Sequence, residues 1–256
     1  MSVAVDSGEN VMVIPSRARR IANVVRLHAA NPVPTLILPW LIFAAVFALN
    51  LAIWIAVVSA AGGRDQLEPD AFANNGAISW IYVFLLVAAT QAMNLTFAFA
   101  LGLGITRRDY FLGTALYLAG LAVFYATGMT VLAAIESATN GWGLEGYIFA
   151  PLFVGDLPLV EQFAAHLMIA VFFFATGLFT GAIFVRWRAL GLYVFFGALA
   201  FGVAGLILIA SLFDGWQGVG AFFTERSPLA VIAWTLPWSG VTAVVAALIL
   251  RRATPR

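Results

Sequence analysis

The stretch GLGITRRDYFLG, at residues 102–113, joins two long apolar runs and decides the fold of this chain. The run before it covers 78–103, and the run after it covers 111–135. A helix needs about 20 residues to cross a hydrocarbon core of roughly 30 Å, so each run is long enough to span a membrane. The sequence therefore predicts two transmembrane helices that are joined by a short, charged turn.

Four more apolar runs lie outside this pair, at 35–60, 162–185, 190–213 and 229–250. The chain is 63% hydrophobic and only 10% charged, whereas a soluble domain carries about 25% charged residues. None of the runs alternates apolar and polar residues as an outer-membrane strand does. Because helices satisfy their backbone hydrogen bonds inside lipid, we predict an all-α polytopic membrane protein with a six-helix transmembrane domain at 35–256.

The arginines predict which way these helices run through the membrane. All 13 basic residues are arginine, and eleven of them fall before the first run, in the loops around 107 and 187, or after the last run. Only Arg64 and Arg226 fall in the other loops. Because positive residues are retained in the cytoplasm, we expect both chain termini to be cytoplasmic.

The segment 1–34 precedes the first apolar run, and its part at 16–30 has the pattern of an amphipathic helix. One face carries Ile14, Ala18, Ile21, Ala22, Val25, His28 and Ala29. The opposite face carries Arg19, Arg20, Asn23 and Arg26. This pattern is typical of a helix that lies in the cytoplasmic membrane interface. The alternative is an arginine-rich flank that only fixes the topology.

Several kinds of chemistry are excluded by residues that the chain lacks. It has no cysteine and no lysine, which rules out thiolate metal sites, a Walker A phosphate loop and a lysine Schiff base. It has two histidines, too few for a histidine-rich metal site, and no charged residue in the middle of an apolar run. Ion-coupled carriers place such charges in the membrane. We therefore expect no enzyme activity, no catalytic residue, no metal and no cofactor in this chain.

The most polar positions inside the apolar runs are Asn50, Thr90, Gln91 and Asn94. An amide or hydroxyl group in lipid must find a partner. These side chains therefore either bond to a neighbouring helix or line a substrate pathway, and we take them as the candidate pathway residues.

The run at 162–185 carries Gly177 and Gly181, which are four residues apart. This spacing puts two small residues on one helix face and lets a second helix approach closely. The sequence leaves open whether that second helix belongs to the same subunit or to another copy.

Within the charged turn, Thr106 stands three residues before Asp109, which is the spacing at which a threonine caps a helix N-terminus. The first turn of that helix holds Arg107 and Arg108, and the helix continues into the run at 111–135. We therefore predict a rigid helical turn that projects into the cytoplasm. Taken alone, such a turn needs no role beyond fixing the topology.

The order of these features resembles the membrane permease subunits of six-helix ABC exporters. The similarity rests on the six spans, the interfacial helix before them and the sequence motif Gly-Ile-Thr-Arg-Arg-Asp-Tyr-Phe at 104–111. In that family the turn after the second span is a coupling helix, which docks on a separate ATP-binding subunit. The resemblance implies that this ATPase contacts Thr106, Arg107, Arg108, Asp109, Tyr110 and Phe111. It also implies that ATP closes the two ATP-binding subunits together, and that this turn and the helix with Arg19, Arg20 and Arg26 carry the closing motion into the bundle.

The resemblance further implies a complete transporter in a bacterial inner (plasma) membrane. Its other parts would be a second permease copy or homologue and two ATP-binding subunits, which hold ATP and Mg. The substrate would be lipid-like, drug-like or a peptide, and its pathway would run along spans 1, 2 and 5. We expect membrane lipid, but no nucleic acid, as a further partner. Two other classes stay open: a non-transporting scaffold or sensor subunit, and a secondary carrier.

Overall fold

The computed structural model describes residues 16–69, 71–73, 75–150, 152–155 and 157–253. All regular structure in this part of the chain is helical, and it contains no strand, which confirms the all-α prediction. Residues 1–15 of the predicted N-terminal segment, and Arg256 at the other end, lie outside the described residues.

Nine α-helices follow one another in the described ranges. They are α1 (Arg17–Ala29), α2 (Leu38–Ala61), α3 (Ala77–Gly102), α4 (Arg107–Ala138), α5 (Leu152–Gly155), α6 (Leu159–Leu212), α7 (Trp216–Thr224), α8 (Pro228–Ala233) and α9 (Thr235–Arg251). Shorter helical turns lie at Val33–Ile37, Arg64–Gln66 and Gly141–Glu145. The first of these turns continues directly into α2, and a single residue separates α8 from α9.

Five helical segments are long and apolar enough to cross a membrane: Val33–Ala61, α3, α4, α6 and Pro228–Arg251. Their ends lie within four residues of the ends of the predicted apolar runs. These segments indicate a membrane protein. The number of segments is five, and not the predicted six, because the runs at 162–185 and 190–213 are joined in the single element α6.

The element α6 is not one straight helix, because its backbone breaks at Arg188. This residue has φ 57° and ψ −153°, a combination that residues other than glycine rarely adopt. The rings of Phe179 and Phe195 lie only 5.1 Å apart, whereas a straight helix would separate them by roughly 24 Å. The chain therefore folds back at Arg188 into two arms, 159–187 and 189–212.

The core forms where α3, α4, α9 and the first arm of α6 pack together, and one buried apolar cluster runs through all four. Gly177 and Gly181 lie on the face of α6 that meets α3. A Cβ atom at Gly177 would collide with the carbonyl oxygen of Leu86 and lie 2.7 Å from the Cβ of Ala89. The glycine pair therefore serves close packing inside the subunit.

The second arm of α6 contacts little of this core. None of its residues is buried and most are exposed, including Phe201 at 82% and Tyr193 at 74%. A helix that is apolar all round is stable only when lipid or another protein covers it. This arm is therefore the part of the bundle that depends most on its surroundings.

At the end of the bundle away from the 102–113 turn, a buried carboxylate holds the loop after α4. Glu136 accepts hydrogen bonds from the main-chain nitrogens of Ile148 at 2.8 Å and Ala150 at 3.0 Å. It also accepts one from Nε1 of Trp142 at 2.9 Å. The side chain thus satisfies donors that the loop buries and cannot pair within itself.

Arg64 joins that loop to the loop between α2 and α3. It forms an ion pair with Glu145 at 2.9 Å and donates a hydrogen bond to the carbonyl oxygen of Leu144 at 3.0 Å. It also donates to the carbonyl oxygens of Glu68 and Pro69 at 2.9 and 2.6 Å. One of the two arginines outside the predicted cytoplasmic set thus has a structural role between two loops.

Candidate functional site

The predicted helical turn is present and is capped as the sequence indicated. Thr106 has the extended dihedrals φ −71° and ψ 149°, and its hydroxyl accepts a hydrogen bond from the main-chain nitrogen of Asp109 at 3.1 Å. The helix α4 begins at Arg107 and continues without a break to Ala138. The prediction that Thr106 caps a helix running into the next span is therefore confirmed.

Asp109 ties this turn to α1. Its carboxylate pairs with Nε of Arg20 at 2.7 Å and with Nε of Arg17 at 3.3 Å, and its side chain is only 3% exposed. A carboxylate in the first turn of a helix is also favoured by the helix dipole. Two opposite charges at close range offset the cost of burying Asp109, so α1 and the start of α4 are fixed to each other.

Tyr110 anchors the same turn to α3. Its side chain is fully buried, and its hydroxyl donates to the carbonyl oxygen of Ala92 at 3.1 Å. That hydroxyl also shares a hydrogen bond with Thr96 at 2.9 Å. The ring meets Phe97 edge to face, with 5.3 Å between the centroids. The turn is therefore held by the bundle on two sides.

The rest of α1 lies along α4 at very short range. A Cβ atom at Gly113 would come within 2.5 Å of the Cβ of Val24, so only glycine allows this approach. His28 shares a hydrogen bond of 2.9 Å with Thr114 and stacks on the ring of Tyr117 at 5.3 Å. The face of α1 that contacts protein is thus centred on Val24 and His28.

Two arginine side chains donate hydrogen bonds to the carbonyl groups at the C-terminal end of α9. Arg107 donates to the carbonyl oxygen of Arg251 at 2.7 Å, and Arg186 donates to that of Arg252 at 2.8 Å. The last carbonyl groups of a helix have no partner within it. The start of α4 is therefore linked to α9 as well as to α1 and α3. We call residues 104–111, together with these contacts, the α4 turn.

The residues assigned to partner contact differ in how much surface they offer. Thr106 and Arg108 are exposed, Arg107 and Phe111 are half-buried, and Asp109 and Tyr110 are buried. Asp109 and Tyr110 therefore hold the turn in place and offer no surface to a partner in this conformation.

The three arginines that the sequence placed on the interfacial helix have different environments. Arg19 and Arg26 are exposed, whereas Arg20 is half-buried against Asp109. Two of the three thus have exposed side chains, and Arg20 is held by an ion pair to the α4 turn.

Two of the four pathway candidates are engaged in bonds between elements. Thr90 shares a hydrogen bond of 2.9 Å with Thr180 of α6. Asn50 accepts one of 2.7 Å from Nδ2 of Asn75, just before α3. These contacts favour the structural interpretation of both residues.

Gln91 and Asn94 form no hydrogen bond with another residue in the described part of the chain. Gln91 is exposed and Asn94 is half-buried. Gln91 lines a cavity of about 530 Å³ between α1, the start of α2 and α3. Of the four candidates, these two retain the capacity to bind something else.

Burial lowers the pKa of His28 from 6.5 to about 4. His28 is 8% exposed, and its ring lies near the rings of Tyr110 and Tyr117. Removal from water disfavours the charged imidazolium. His28 is therefore neutral at physiological pH, when α1 is docked on α4.

This shift predicts acid sensitivity of the docked α1. Between about pH 6.5 and pH 4 the unfolded chain binds a proton at His28 that the folded protein does not, so the free energy of unfolding falls as pH falls. The loss reaches at most about 3 kcal/mol. We expect His28→Gln to have a flatter curve of stability against pH in SDS titrations of the detergent-solubilised protein. Arg26→Gln, on the exposed face of the same helix, serves as the control. Parallel curves for wild type and His28→Gln would contradict this prediction.

The ion pairs of Asp109 and the bonds that Arg107 and Arg186 make to α9 were not predicted from the sequence. One signal was available, because Arg17 and Arg20 are three residues apart and share a face of α1. Nothing in the sequence identified Asp109 as their common partner.

The described residues contain no cluster of three or more histidine, aspartate or glutamate side chains that could hold a metal ion. No known protein family, curated protein or solved structure matches this chain.

Proposed function

We propose that this chain is the membrane permease subunit of an ATP-driven ABC transporter, which exports a lipid-like, drug-like or peptide substrate. Both arms of α6 cross the membrane, which gives six spans with cytoplasmic termini in a bacterial inner membrane. ATP and Mg bind to a separate subunit, which docks on the α4 turn. The substrate passes between this chain and a second permease copy or homologue.

The observation that carries this proposal is the way the α4 turn is built. Arg108 and Thr106 are exposed at its tip, while Asp109 behind them is bonded to Arg17 and Arg20 of α1. A turn that only reverses the chain needs no such linkage. This arrangement suits a docking surface that transmits the movement of a bound subunit to the helices behind it.

The contacts also supply a route for that force. A displacement of the turn moves α4 directly, α1 through the Asp109 ion pairs and α9 through the bond from Arg107 to the carbonyl oxygen of Arg251. Packed helices transmit small displacements because their cores do not deform continuously. The movement would reach Gln91 and Asn94 through α3, which Tyr110 joins to the turn.

The direct test is whether the tagged chain, purified from its own cells, retains a soluble ATPase. We expect Arg108→Ala to weaken ATPase binding more than tenfold, because removal of a central interface arginine costs about 2 kcal/mol. Arg226→Ala, an exposed arginine at the opposite end, is the matched control and should bind normally. Both variants should elute as folded protein on size exclusion.

A second variant separates docking from transmission. Asp109→Asn keeps the shape of the turn but removes the charge that holds Arg17 and Arg20, so the ATPase should still bind while substrate no longer stimulates ATP hydrolysis. An Arg108→Ala chain that retains a fully stimulated ATPase would place the docking surface elsewhere. A wild-type chain that retains no ATPase at all would favour the non-transporting scaffold.

A further inference from the structure

Leu27, near the C-terminal end of α1, lines two cavities. The larger, of about 530 Å³, extends from Leu27 to Pro34 at the start of the first span and to Phe84 on α3. The smaller, of about 470 Å³, lies between α1 and residues 103–105. Because Leu27 lines both cavities, an elongated molecule can occupy the two by passing over one side chain.

The larger cavity has the lining of a site for an acyl chain. Most of its wall is apolar, with Leu38, Phe84, Val87, Ala88 and Leu95 among the lining residues. The polar groups that reach it are neutral, and no charged residue lines it. Cavities of this size that are mostly apolar, with a few polar groups, are typical of ligand sites.

The smaller cavity has the opposite character, because Arg20, Asn23 and Arg26 line it and no acidic residue does. Arg26 is exposed and forms no ion pair or hydrogen bond with the described part of the chain. Asp109, the acidic group bonded to α1, lies on the Arg17 and Arg20 side of the helix. Arg26 is therefore available to an anion from outside the protein.

We propose that one anionic phospholipid binds across α1, with its phosphate at Arg26 and Asn23 and an acyl chain in the larger cavity. The positions of the two cavities match this amphiphile: the basic cavity adjoins the charged turn, and the apolar cavity continues along the first two spans. The membrane supplies such a molecule at high concentration. Lipid binding at this site does not rest on the proposed function, because it needs only a membrane and not an ATPase.

The occupant is a lipid and not a free anion, because the basic cavity alone contributes too little affinity to hold a phosphate. A single arginine near an anionic membrane surface contributes about 1 kcal/mol, or about fivefold in affinity. The acyl chain adds a contribution for each CH₂ group it buries. A free phosphate gains only the first of these.

The test measures lipid binding to the purified chain in detergent by native mass spectrometry. Phosphatidylglycerol should bind more tightly than phosphatidylcholine of the same chain length, and inorganic phosphate should not displace it. Arg26→Gln should weaken phosphatidylglycerol binding about fivefold, whereas Arg19→Gln should not change it. Arg19 is the matched control, because it is an exposed arginine of the same helix that lines neither cavity.

A second pair of variants tests the position of the acyl chain. Ala88→Phe places a ring in the larger cavity and should reduce binding of both lipids, whereas Ala98→Phe, on an exposed part of α3, should not.

Equal binding of the two lipids with no effect of Arg26→Gln would overturn the proposal in favour of unspecific annular lipid. Displacement by inorganic phosphate would reduce the site to an anion site. Normal binding to Ala88→Phe would exclude the proposed position of the chain.

Discussion

Replacement of Glu136 by leucine is expected to lower the free energy of unfolding by about 3 kcal/mol or more. Glu136 is fully buried and accepts hydrogen bonds from the main-chain nitrogens of Ile148, Phe149 and Ala150. Leucine has a similar size but accepts nothing, so it leaves these three donors buried without a partner. Each such donor costs about 1 to 3 kcal/mol, and relief from burying the carboxylate offsets part of the total.

Two further variants test the cause of this loss. Glu136→Gln keeps one acceptor oxygen but turns a donor towards the same nitrogens, so its stability should lie between wild type and Glu136→Leu. Glu225→Leu, at an exposed glutamate, is the matched control and should have nearly the stability of wild type. The measurement is SDS titration in detergent micelles. Equal midpoints for Glu136→Leu and Glu225→Leu would show that the carboxylate does not hold the loop.

The second large effect is expected at Gly177, where a change to alanine should destabilise the protein by about 1 to 3 kcal/mol. The added methyl group would collide with the carbonyl oxygen of Leu86 and with the Cβ of Ala89. Both are fixed parts of α3, so relief requires the two helices to move apart. That movement would also disturb the hydrogen bond between Thr90 and Thr180.

The control for this prediction is Gly120→Ala, because nothing lies within 4 Å of a Cβ atom at that position on α4. Alanine is preferred over glycine inside a helix by up to about 1 kcal/mol, so Gly120→Ala should keep or raise the stability. The two substitutions are chemically identical and are expected to have opposite signs. If Gly177→Ala proved as stable as Gly120→Ala in the same SDS titration, the close approach of α3 and α6 would be disproved.

The elements that the sequence predicted well depend on residues close together in the chain. The apolar runs gave the long helices, because length and apolarity decide whether a segment can cross lipid. The cap at Thr106 depends on Asp109, three residues away. The separation of Gly177 and Gly181 predicted close packing, since residues four apart share a helix face.

The packing of the helices determines the contacts between residues that lie far apart in the chain. Asp109 meets Arg20 across 89 positions of the chain, and no pattern in either segment identifies the other. Tyr110, read from the sequence as part of a contact surface, is buried because α3 lies behind it.

The same limit applies to Glu136 and to Gly177. Glu136 lies near the C-terminal end of α4, and only the fold brings the nitrogens of the following loop around it. For Gly177 the sequence left open whether the close partner is a helix of the same subunit or of another copy, and in the structure that partner is α3 of the same subunit. Local patterns determine which segments become helices and where they begin. Which faces meet is decided by the whole set of helices packing at once, because each close contact excludes the alternatives for its neighbours.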